Sequence, residues 1–266
     1  MKKILSLLTA TYNNEKTIEK NLKSVSDLVD EIVVVDNGST DETIKIAKKY
    51  QAKIISYEGK NLGLQYQKGL NNVKTKWVLI LDSDEYLSYE LFNEIRELFF
   101  NKIRELKKYD GFFIPFKNYF MGKPVSFGGE NYKMIRLFKK NKVIITSEKT
   151  HQKYILKSKK TGSLKGKIIH HSYRSLWQTY KKFTYYALEE AKQKFKKNET
   201  ITLKKLFLYA PHMFYARFIK DKGYKDGLFR IPLDLGFAYM EFLTYWGLLI
   251  LRLKNFFRFK HNIFFY

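Results

Sequence analysis

The chain has 266 residues, 45% of them hydrophobic and 17% aromatic, which is enough to bury a full core and excludes a disordered polypeptide. It contains no cysteine, which excludes disulfides, zinc ribbons and cysteine nucleophiles. Its 50 Lys and Arg against 26 Asp and Glu give a formal net charge of +24, which favours polyanionic partners: nucleic acid, anionic lipid headgroups or phosphorylated substrates.

The first strand is predicted at residues 4–10. Two lysines and an apolar stretch at the N-terminus resemble a signal peptide, but the apolar part is at the short limit and leads directly into a loop and a helix. We therefore interpret it as the start of the fold. Residues 242–251, the longest late apolar run, are too few to cross a bilayer, so no transmembrane span is expected.

Strands and helices are predicted to alternate through the next hundred residues. Apolar residues at helical spacing predict a helix over residues 18–29, and "EIVVV" predicts a second strand. In the "DNGSTDET" that follows, Ser39 and Glu42 form a capping-box pattern that predicts a helix through Tyr50. "AKIIS" is a third strand, "NLGLQYQKGLNNV" a turn and helix, and "WVLIL" a fourth strand. This alternation predicts an α/β fold with a mostly parallel sheet.

The pattern changes after a helix predicted over residues 91–106. "GFFIPFKNYFMGKPVSFGG" and "NYKMIRLFKKNKVIIT" predict strands joined by Gly and Pro turns. From about Ser175 the chain is predicted to be helical and is rich in Tyr, Phe and Lys, with breaks at Pro and Gly positions.

Three polar segments follow the predicted strands. Thr11, Tyr12 and Asn13 follow the first strand, Asp36 ends the second, and "DSD" at 82–84 ends the fourth. Ligands of parallel sheets collect at the carboxyl ends of the strands, so we expect these segments to form one site.

Each segment has a functional and a structural interpretation. Asp82 and Asp84 offer oxygen ligands for Mg²⁺ or Mn²⁺, or they are ordinary residues of a solvated turn. The carboxylate of Asp36 is able to accept a hydrogen bond from a ring N–H of a bound base, or it belongs to a helix-entry turn. Tyr12 offers a ring for stacking, or it lies in a polar loop.

Together these segments resemble the family 2 glycosyltransferases, inverting enzymes with the GT-A fold that use nucleotide sugars. The likeness is carried by "TATYNNEKTIEKNLKSV", "DEIVVVDNGSTDETIKIAKKY", "NLGLQYQKGL" and "WVLILDSDEYL", which cover most of residues 1–90. It implies a GT-A catalytic domain over residues 1–175, with a nucleotide-sugar half at 1–100 and an acceptor half at 101–175. Residues 176–266 would form a basic, aromatic-rich helical extension.

The same resemblance implies roles for particular residues. Those that look like the donor pocket are Thr11, Tyr12, Asn13 and Asp36, with Lys68 as a base or phosphate contact. Asp82 would approach the ribose or a Mg²⁺ or Mn²⁺ ion, and Asp84 would bind that ion, which bridges the diphosphate of a nucleotide sugar, expected to be a UDP-sugar.

Later segments are similar to small bacterial glycosyltransferases that build lipopolysaccharide core or related glycoconjugates. They are "RLFKK" at 136–140, "LKGKIIHHSYRS" at 164–175 and "KGYKDGLFRIPLDLGFAYMEFLTYW" at 222–246. The likeness implies that His170 completes the metal shell or binds phosphate, although a lone histidine is often structural. It implies that Arg136 contacts acceptor or phosphate, with a surface salt bridge as the alternative.

The catalytic base is the point at which this sequence departs from its relatives. Those enzymes have a His-Glu pair before the "LKG" strand, whereas here Gln152 follows His151. A glutamine amide cannot accept a proton at neutral pH. We therefore expect Glu148 to act as the base, with His151 second, and the alternative is that Glu148 is an exposed acid among lysines.

From Phe242 onward, apolar residues recur on one helical face beside Arg and Lys, the pattern of an interfacial helix on anionic lipid. We expect a cytoplasmic enzyme, peripheral on the inner face of the cytoplasmic membrane, with a glycan or lipid-linked acceptor. The alternative is that this helix packs on the catalytic domain or on a second copy.

Two other functions are disfavoured by the sequence. A nucleic-acid-binding protein is disfavoured because the aromatics fall largely inside apolar strands and helices, and no helix-turn-helix, RRM-like or zinc pattern occurs. An inactive scaffold on the same fold is disfavoured by the presence of Asp36, Asp82 and Asp84.

Overall fold

The computed structural model describes residues 4–59, 61–146 and 154–263, with side chains up to residue 256. The chain forms two compact units. We call residues 1–118 and 131–171 the sheet unit, and residues 119–130 and 172–266 the helical unit.

The first hundred residues form β1 (Leu5–Thr11), α1 (Glu15–Lys23), β2 (Glu31–Asp36), α2 (Thr43–Lys49), β3 (Lys53–Ser56), α3 (Leu62–Asn72), β4 (Trp77–Ile80), β5 (Glu85–Leu87) and α4 (Tyr89–Phe100). The next part forms α5 (Ile103–Leu106), β6 (Gly111–Phe120), β7 (Lys123–Val125), β8 (Lys133–Lys139), β9 (Val143–Ile145), β10 (Tyr154–Leu156), β11 (Thr161–Ser163) and β12 (Ile168–Tyr173). The C-terminal part forms α6 (Leu176–Lys196), α7 (Leu203–Phe207), α8 (Tyr209–Tyr215) and α9 (Ile231–Ile263).

The main sheet has the strand order β3-β2-β1-β4-β8-β6-β12-β5. The first four strands are parallel, and β8 runs antiparallel to both β4 and β6. Successive residues of β1 face opposite cores, since Leu5 and Leu7 lie in one and Leu8 and Ala10 in the other. Burial on both faces explains why these strands read as continuous apolar runs. The predicted α/β class with helices around the sheet and a helical C-terminal part is confirmed.

Two details of the predicted elements are wrong. Ser39 does not cap α2: its hydroxyl donates to Asp36 at 2.5 Å, and the helix begins at Thr43, whose N–H donates to Asp41 at 3.0 Å. The helix predicted over residues 91–106 is two helices. The N–H groups of both Asn101 and Lys102 donate to the carbonyl of residue 97, which closes the end of α4.

In the helical unit, α6 and α8 pack against α9. The predicted apolar face after Phe242 is divided in the structure. Tyr245 is buried in this unit, whereas Phe242, Ile250 and Leu253 are exposed. Within the part of the chain that the structure describes, no helix combines the length and apolarity needed to cross a bilayer.

Candidate active site

The ends of β1, β2 and β4 bring the predicted polar segments to one edge of the sheet. β1 lies between β2 and β4, and Thr11 at its end is the register partner of Asp36 at the end of β2. Asp82 follows β4, which ends at Ile80. The loops after three neighbouring parallel strands therefore meet, because their carboxyl ends share an edge.

Asn13 ties the loop after β1 to the loop after β2. Its side-chain oxygen accepts from the N–H of Thr40 at 2.8 Å, and its own N–H donates to the hydroxyl of Ser39 at 2.9 Å. Its φ of 51° is in the left-handed region, which Asn tolerates better than most residues. Thr11 is buried, whereas Tyr12 between them is 56% exposed, so its ring is accessible for stacking.

Asp36 is buried and holds the turn that follows it. One carboxylate oxygen accepts from the N–H groups of Gly38 and Ser39 at 3.1 and 3.0 Å, and the other accepts from the Ser39 hydroxyl. This geometry is that of an Asx turn in the loop that leads to α2. A contact with a bound base stays a prediction.

Helix α3 reaches the strand ends through Gln65 and Tyr66. The amide of Gln65 donates to the carbonyl oxygens of Val35 and Thr11 at 2.7 and 3.4 Å. The hydroxyl of Tyr66 donates to Asp82. Lys68 lies on the exposed side of the same helix, so the structure does not bring it into these contacts.

The segment from Asp82 to Glu85 is a closed turn. The N–H of Glu85 donates to the carbonyl of Asp82 at 2.9 Å, and the N–H of Asp82 donates to the Glu85 carboxylate at 2.9 Å. The buried amide of Asn21, on α1, donates to the carbonyls of both residues at 2.9 and 2.7 Å. The backbone that carries Asp84 is thus held at both ends.

Arg136 is 4% exposed and bridges the two carboxylates of this turn. One amino group of its guanidinium donates to Glu85 at 2.9 Å and to Asp82 at 3.2 Å. Phe116 and Tyr154 lie 5.3 and 5.6 Å from the guanidinium carbon. The buried position contradicts the surface salt bridge given as the alternative, whereas the contact with acceptor or phosphate stays a prediction.

The two carboxyls of the turn differ in their affinity for protons. Burial raises the pKa of Glu85 to about 8, although the charge of Arg136 opposes the shift. Burial also acts to raise the pKa of Asp82, but the charge of Arg136 and the hydrogen bonds from Tyr66 and Arg136 outweigh it and hold that pKa below its usual value. One guanidinium therefore lies beside two carboxyls whose pKa values are shifted in opposite directions.

Asp84 and His170 converge beside this turn. A carboxylate oxygen of Asp84, whose side chain is 28% exposed, lies 3.6 Å from Nε2 of His170. His170 is the register partner of Glu85 in the antiparallel pair of β5 and β12. Carboxylate oxygen and neutral imidazole nitrogen are both ligands for Mn²⁺, so this donor pair fits a divalent ion completed by substrate phosphates. Over the described residues, no cluster of three or more metal-ligating side chains occurs.

Glu148, His151 and Gln152, the residues on which the identity of the base depends, lie outside the described residues. The sequence interpretation missed Asn21, Tyr66 and Glu85. Asn21 was recognisable in the sequence, because it is a polar residue next to Leu22 on the apolar face of α1. Tyr66 and Glu85 stand inside the recognised segments, but their contacts depend on how distant strands pair.

Comparison with known proteins bears on this site. The family model for glycosyl transferase family 2 matches residues 6–102. A Rickettsia typhi protein named as a glycosyltransferase is 31% identical over 267 residues, covering 96% of this chain and 89% of its own length. A Rickettsia prowazekii protein, also named as a glycosyltransferase, is 30% identical with the same coverage.

Two solved structures match the chain at low TM-scores. The crystal structure of S. aureus TarS 1–349 in complex with UDP is 17% identical, with a TM-score of 0.47 over 96% of this chain and 92% of that one. Glucosyl-3-phosphoglycerate synthase from Mycobacterium tuberculosis, in complex with Mn²⁺, UDP and glucosyl-3-phosphoglycerate, is 26% identical, with a TM-score of 0.33 over 45% of each chain. Likenesses at these scores say nothing about substrate.

The sequence relationship spans both units and includes the loops that follow β1, β2 and β4. The chain belongs to glycosyltransferase family 2.

Proposed function

We propose that the protein transfers a sugar from a nucleotide sugar, expected to be a UDP-sugar, to an acceptor hydroxyl with inversion at the anomeric carbon. The observation that carries this proposal is the convergence of Asp84 and His170 at 3.6 Å beside the ends of three parallel strands. These two residues would hold Mg²⁺ or Mn²⁺, which neutralises the departing diphosphate when bound.

The nucleoside would lie over the loops after β1 and β2. The exposed ring of Tyr12 is the stacking surface, and the Asp36 carboxylate is the acceptor for a ring N–H of the base. A base on the protein, Glu148 or else His151, takes the proton of the acceptor hydroxyl. The acceptor oxygen then bonds to the anomeric carbon from the face opposite the breaking C–O bond, and the nucleoside diphosphate leaves with the electron pair.

The acceptor is proposed to be a glycan or a lipid-linked glycan of lipopolysaccharide core or another cell-surface glycoconjugate. We propose that the enzyme works in the cytoplasm, bound peripherally to the inner face of the cytoplasmic membrane. The exposed side of α9, with Phe242, Ile250 and Leu253, supplies apolar contacts, and the net charge of +24 supplies attraction to anionic headgroups.

The test is a panel of nucleotide sugars scored for protection against thermal unfolding with Mn²⁺, followed by hydrolysis and transfer assays with and without EDTA. We expect one donor class to stabilise the protein only when metal is present. No stabilisation by any nucleotide sugar, together with tight binding of nucleic acid, would favour the rival nucleic-acid function. Donor binding without turnover on any acceptor would favour the inactive scaffold.

A further inference from the structure

The four side chains around the turn at 82–85 form one connected cluster. Tyr66, Glu85 and Arg136 are almost fully buried, whereas the side chain of Asp82 is 31% exposed. The cluster therefore reaches the surface only through Asp82. It draws its members from α3, from the turn itself and from β8.

A buried ionic cluster is weak evidence for stability, because removing charges from water costs about as much as their attraction returns. Such a cluster does fix the orientation of a side chain when hydrogen bonds reach that side chain from different directions. Here one carboxylate oxygen of Asp82 accepts from Tyr66 and the other from Arg136, so the carboxylate is held at both oxygens.

The same contacts make Asp82 a poor ligand for a cation. A guanidinium nitrogen 3.2 Å from its carboxylate oxygen would repel a divalent ion bound to that carboxylate. A carboxylate oxygen of Asp84, two residues on, lies 3.6 Å from Nε2 of His170. The turn thus gives two adjacent carboxylates different surroundings.

We infer that Tyr66, Glu85 and Arg136 are positioning residues, which fix the Asp82 carboxylate toward the donor and fix the turn that presents Asp84, and that Asp82 is not a ligand of the metal. This inference rests on the proposed function for its kinetic consequences. Its structural consequence, a rigid turn at 82–85, is independent of any activity.

Tyr66→Phe is the mildest variant, because it removes only the hydroxyl that donates to Asp82. We expect the donor KM to rise about tenfold while kcat changes less, as for the loss of a group that orients a ligand. Tyr109→Phe, at a partly buried position packed against the other core cluster, is the control and is expected to leave both constants unchanged.

Arg136→Lys keeps the positive charge but replaces the planar fork by a single ammonium group. We expect it to retain part of the donor affinity, whereas Arg136→Met leaves Asp82 without its partner and loses more. A purely structural role would instead lower Tm in both variants and leave the donor KM of the folded fraction unchanged.

Two measurements decide the inference whether or not the protein transfers sugar. Amide hydrogen exchange in residues 82–87 is expected to quicken about tenfold in Tyr66→Phe relative to Tyr109→Phe. Mn²⁺ affinity is expected to fall in Asp84→Asn but to stay within about threefold in Asp82→Asn. Unchanged exchange in Tyr66→Phe, or equal loss of Mn²⁺ in both aspartate variants, overturns it. Absence of Mn²⁺ binding in the wild type contradicts the proposed metal site and not the positioning role. Amide hydrogen exchange alone then tests the positioning role.

Discussion

Asp84 is the acid of its turn whose carboxylate oxygen lies 3.6 Å from Nε2 of His170. Glu85 is 1% exposed, and Asp82, although its side chain is 31% exposed, is bound by Tyr66 and Arg136. We therefore propose Asp84, whose side chain is 28% exposed, as the ligand of the metal. Since a turn side chain of this kind contributes little to the core, its loss should separate function from folding.

We predict that Asp84→Asn lowers metal-dependent transfer on the order of a hundredfold or more, because the diphosphate loses its counter-charge as it leaves. Tm is expected to stay near the wild-type value. Transfer rates at saturating Mn²⁺ and thermal unfolding are the measurements, with Asp27→Asn, an exposed acid between α1 and β2, as the control. Wild-type turnover by Asp84→Asn, or full wild-type activity in EDTA, contradicts the assignment.

The catalytic base is assigned from the sequence to Glu148. We predict that Glu148→Gln lowers kcat about a hundredfold or more while donor binding is retained, because an amide cannot take the acceptor proton. Steady-state kinetics and donor binding measured together test it. If Glu148→Gln turns over normally and His151→Ala is inactive, His151 is the base.

Sequence alone placed the polar segments at the ends of neighbouring strands, whereas the contacts among them come from the fold. Acids after an apolar strand are visible as a pattern, so the position of Asp82 and Asp84 was predictable. The resemblance implied different roles for the two acids, but the contact that distinguishes their surroundings depends on Arg136, a residue of β8. Since Leu79 pairs with Leu137 in the antiparallel register of β4 and β8, Arg136 comes to lie by the end of β4. No local pattern encodes that pairing.

At the level of elements, a second buried ionic network joins segment 119–130 to α9 within the helical unit. Arg230 and Asp234, four residues apart in sequence, are both fully buried. Nε of Arg230 donates a hydrogen bond to Oδ2 of Asp234 at 2.8 Å. Arg217 bridges Asp234 at 3.1 Å and Glu130 at 2.5 Å. Gly128 carries a φ of 59°, and a Cβ there would lie 2.2 Å from Arg230, so glycine is required at this position.

This network predicts a pH dependence of stability. Burial raises the pKa of Glu130 above the usual 4.5, against the opposing charges of Arg217 and Arg230 and with the help of Asp234. The folded state therefore holds that proton more tightly than the unfolded state. The contribution of Glu130 to the free energy of unfolding must fall as pH rises from about 4.5 through the raised pKa.

Glu130→Gln keeps the shape of the protonated carboxyl and removes the titration. We predict that the Tm of this variant, relative to wild type, rises as pH increases from about 4.5, in thermal scans at several pH values. Glu105→Gln, at an exposed position of α5, is the control and should track wild type. A difference between Glu130→Gln and wild type that is constant with pH, or that falls, contradicts the direction of the shift.

The elements were predictable to different degrees for physical reasons. Strands β1, β2 and β4 are buried on both faces, so their apolar runs are unambiguous. The start of α2 was not predictable, because the side chains of Ser39, Asp41 and Glu42 are all able to cap a helix. Contacts with the neighbouring loop determine which of them bonds to the first turn. Asp41 accepts from the N–H of Glu15 as well as from Thr43, which favours it over Ser39.

At the scale of the whole molecule, the charge of +24 must be reconciled with a specific site. Long-range attraction of this size draws in any polyanion and is screened within about 10 Å at 0.1 M salt. It therefore supplies no selectivity by itself. An apolar contact that persists after screening is needed to distinguish a membrane surface from other anions, and exposed Ile250 and Leu253 on α9 offer one.

We predict that the protein sediments with anionic vesicles at low salt and is released as salt is raised, and that it binds neutral vesicles weakly. Ile250→Ser combined with Leu253→Ser should weaken vesicle binding roughly tenfold, since about 1.4 kcal/mol of lost apolar burial corresponds to one such factor. Tyr89→Ser combined with Phe100→Ser, at two positions of the sheet unit that are more exposed than Ile250 and Leu253, is the control. Vesicle binding that is absent at low salt excludes the membrane proposal. If the Ile250→Ser/Leu253→Ser variant binds vesicles as tightly as the wild type, the attraction is due to charge alone. That outcome contradicts the assignment of α9 as the membrane contact.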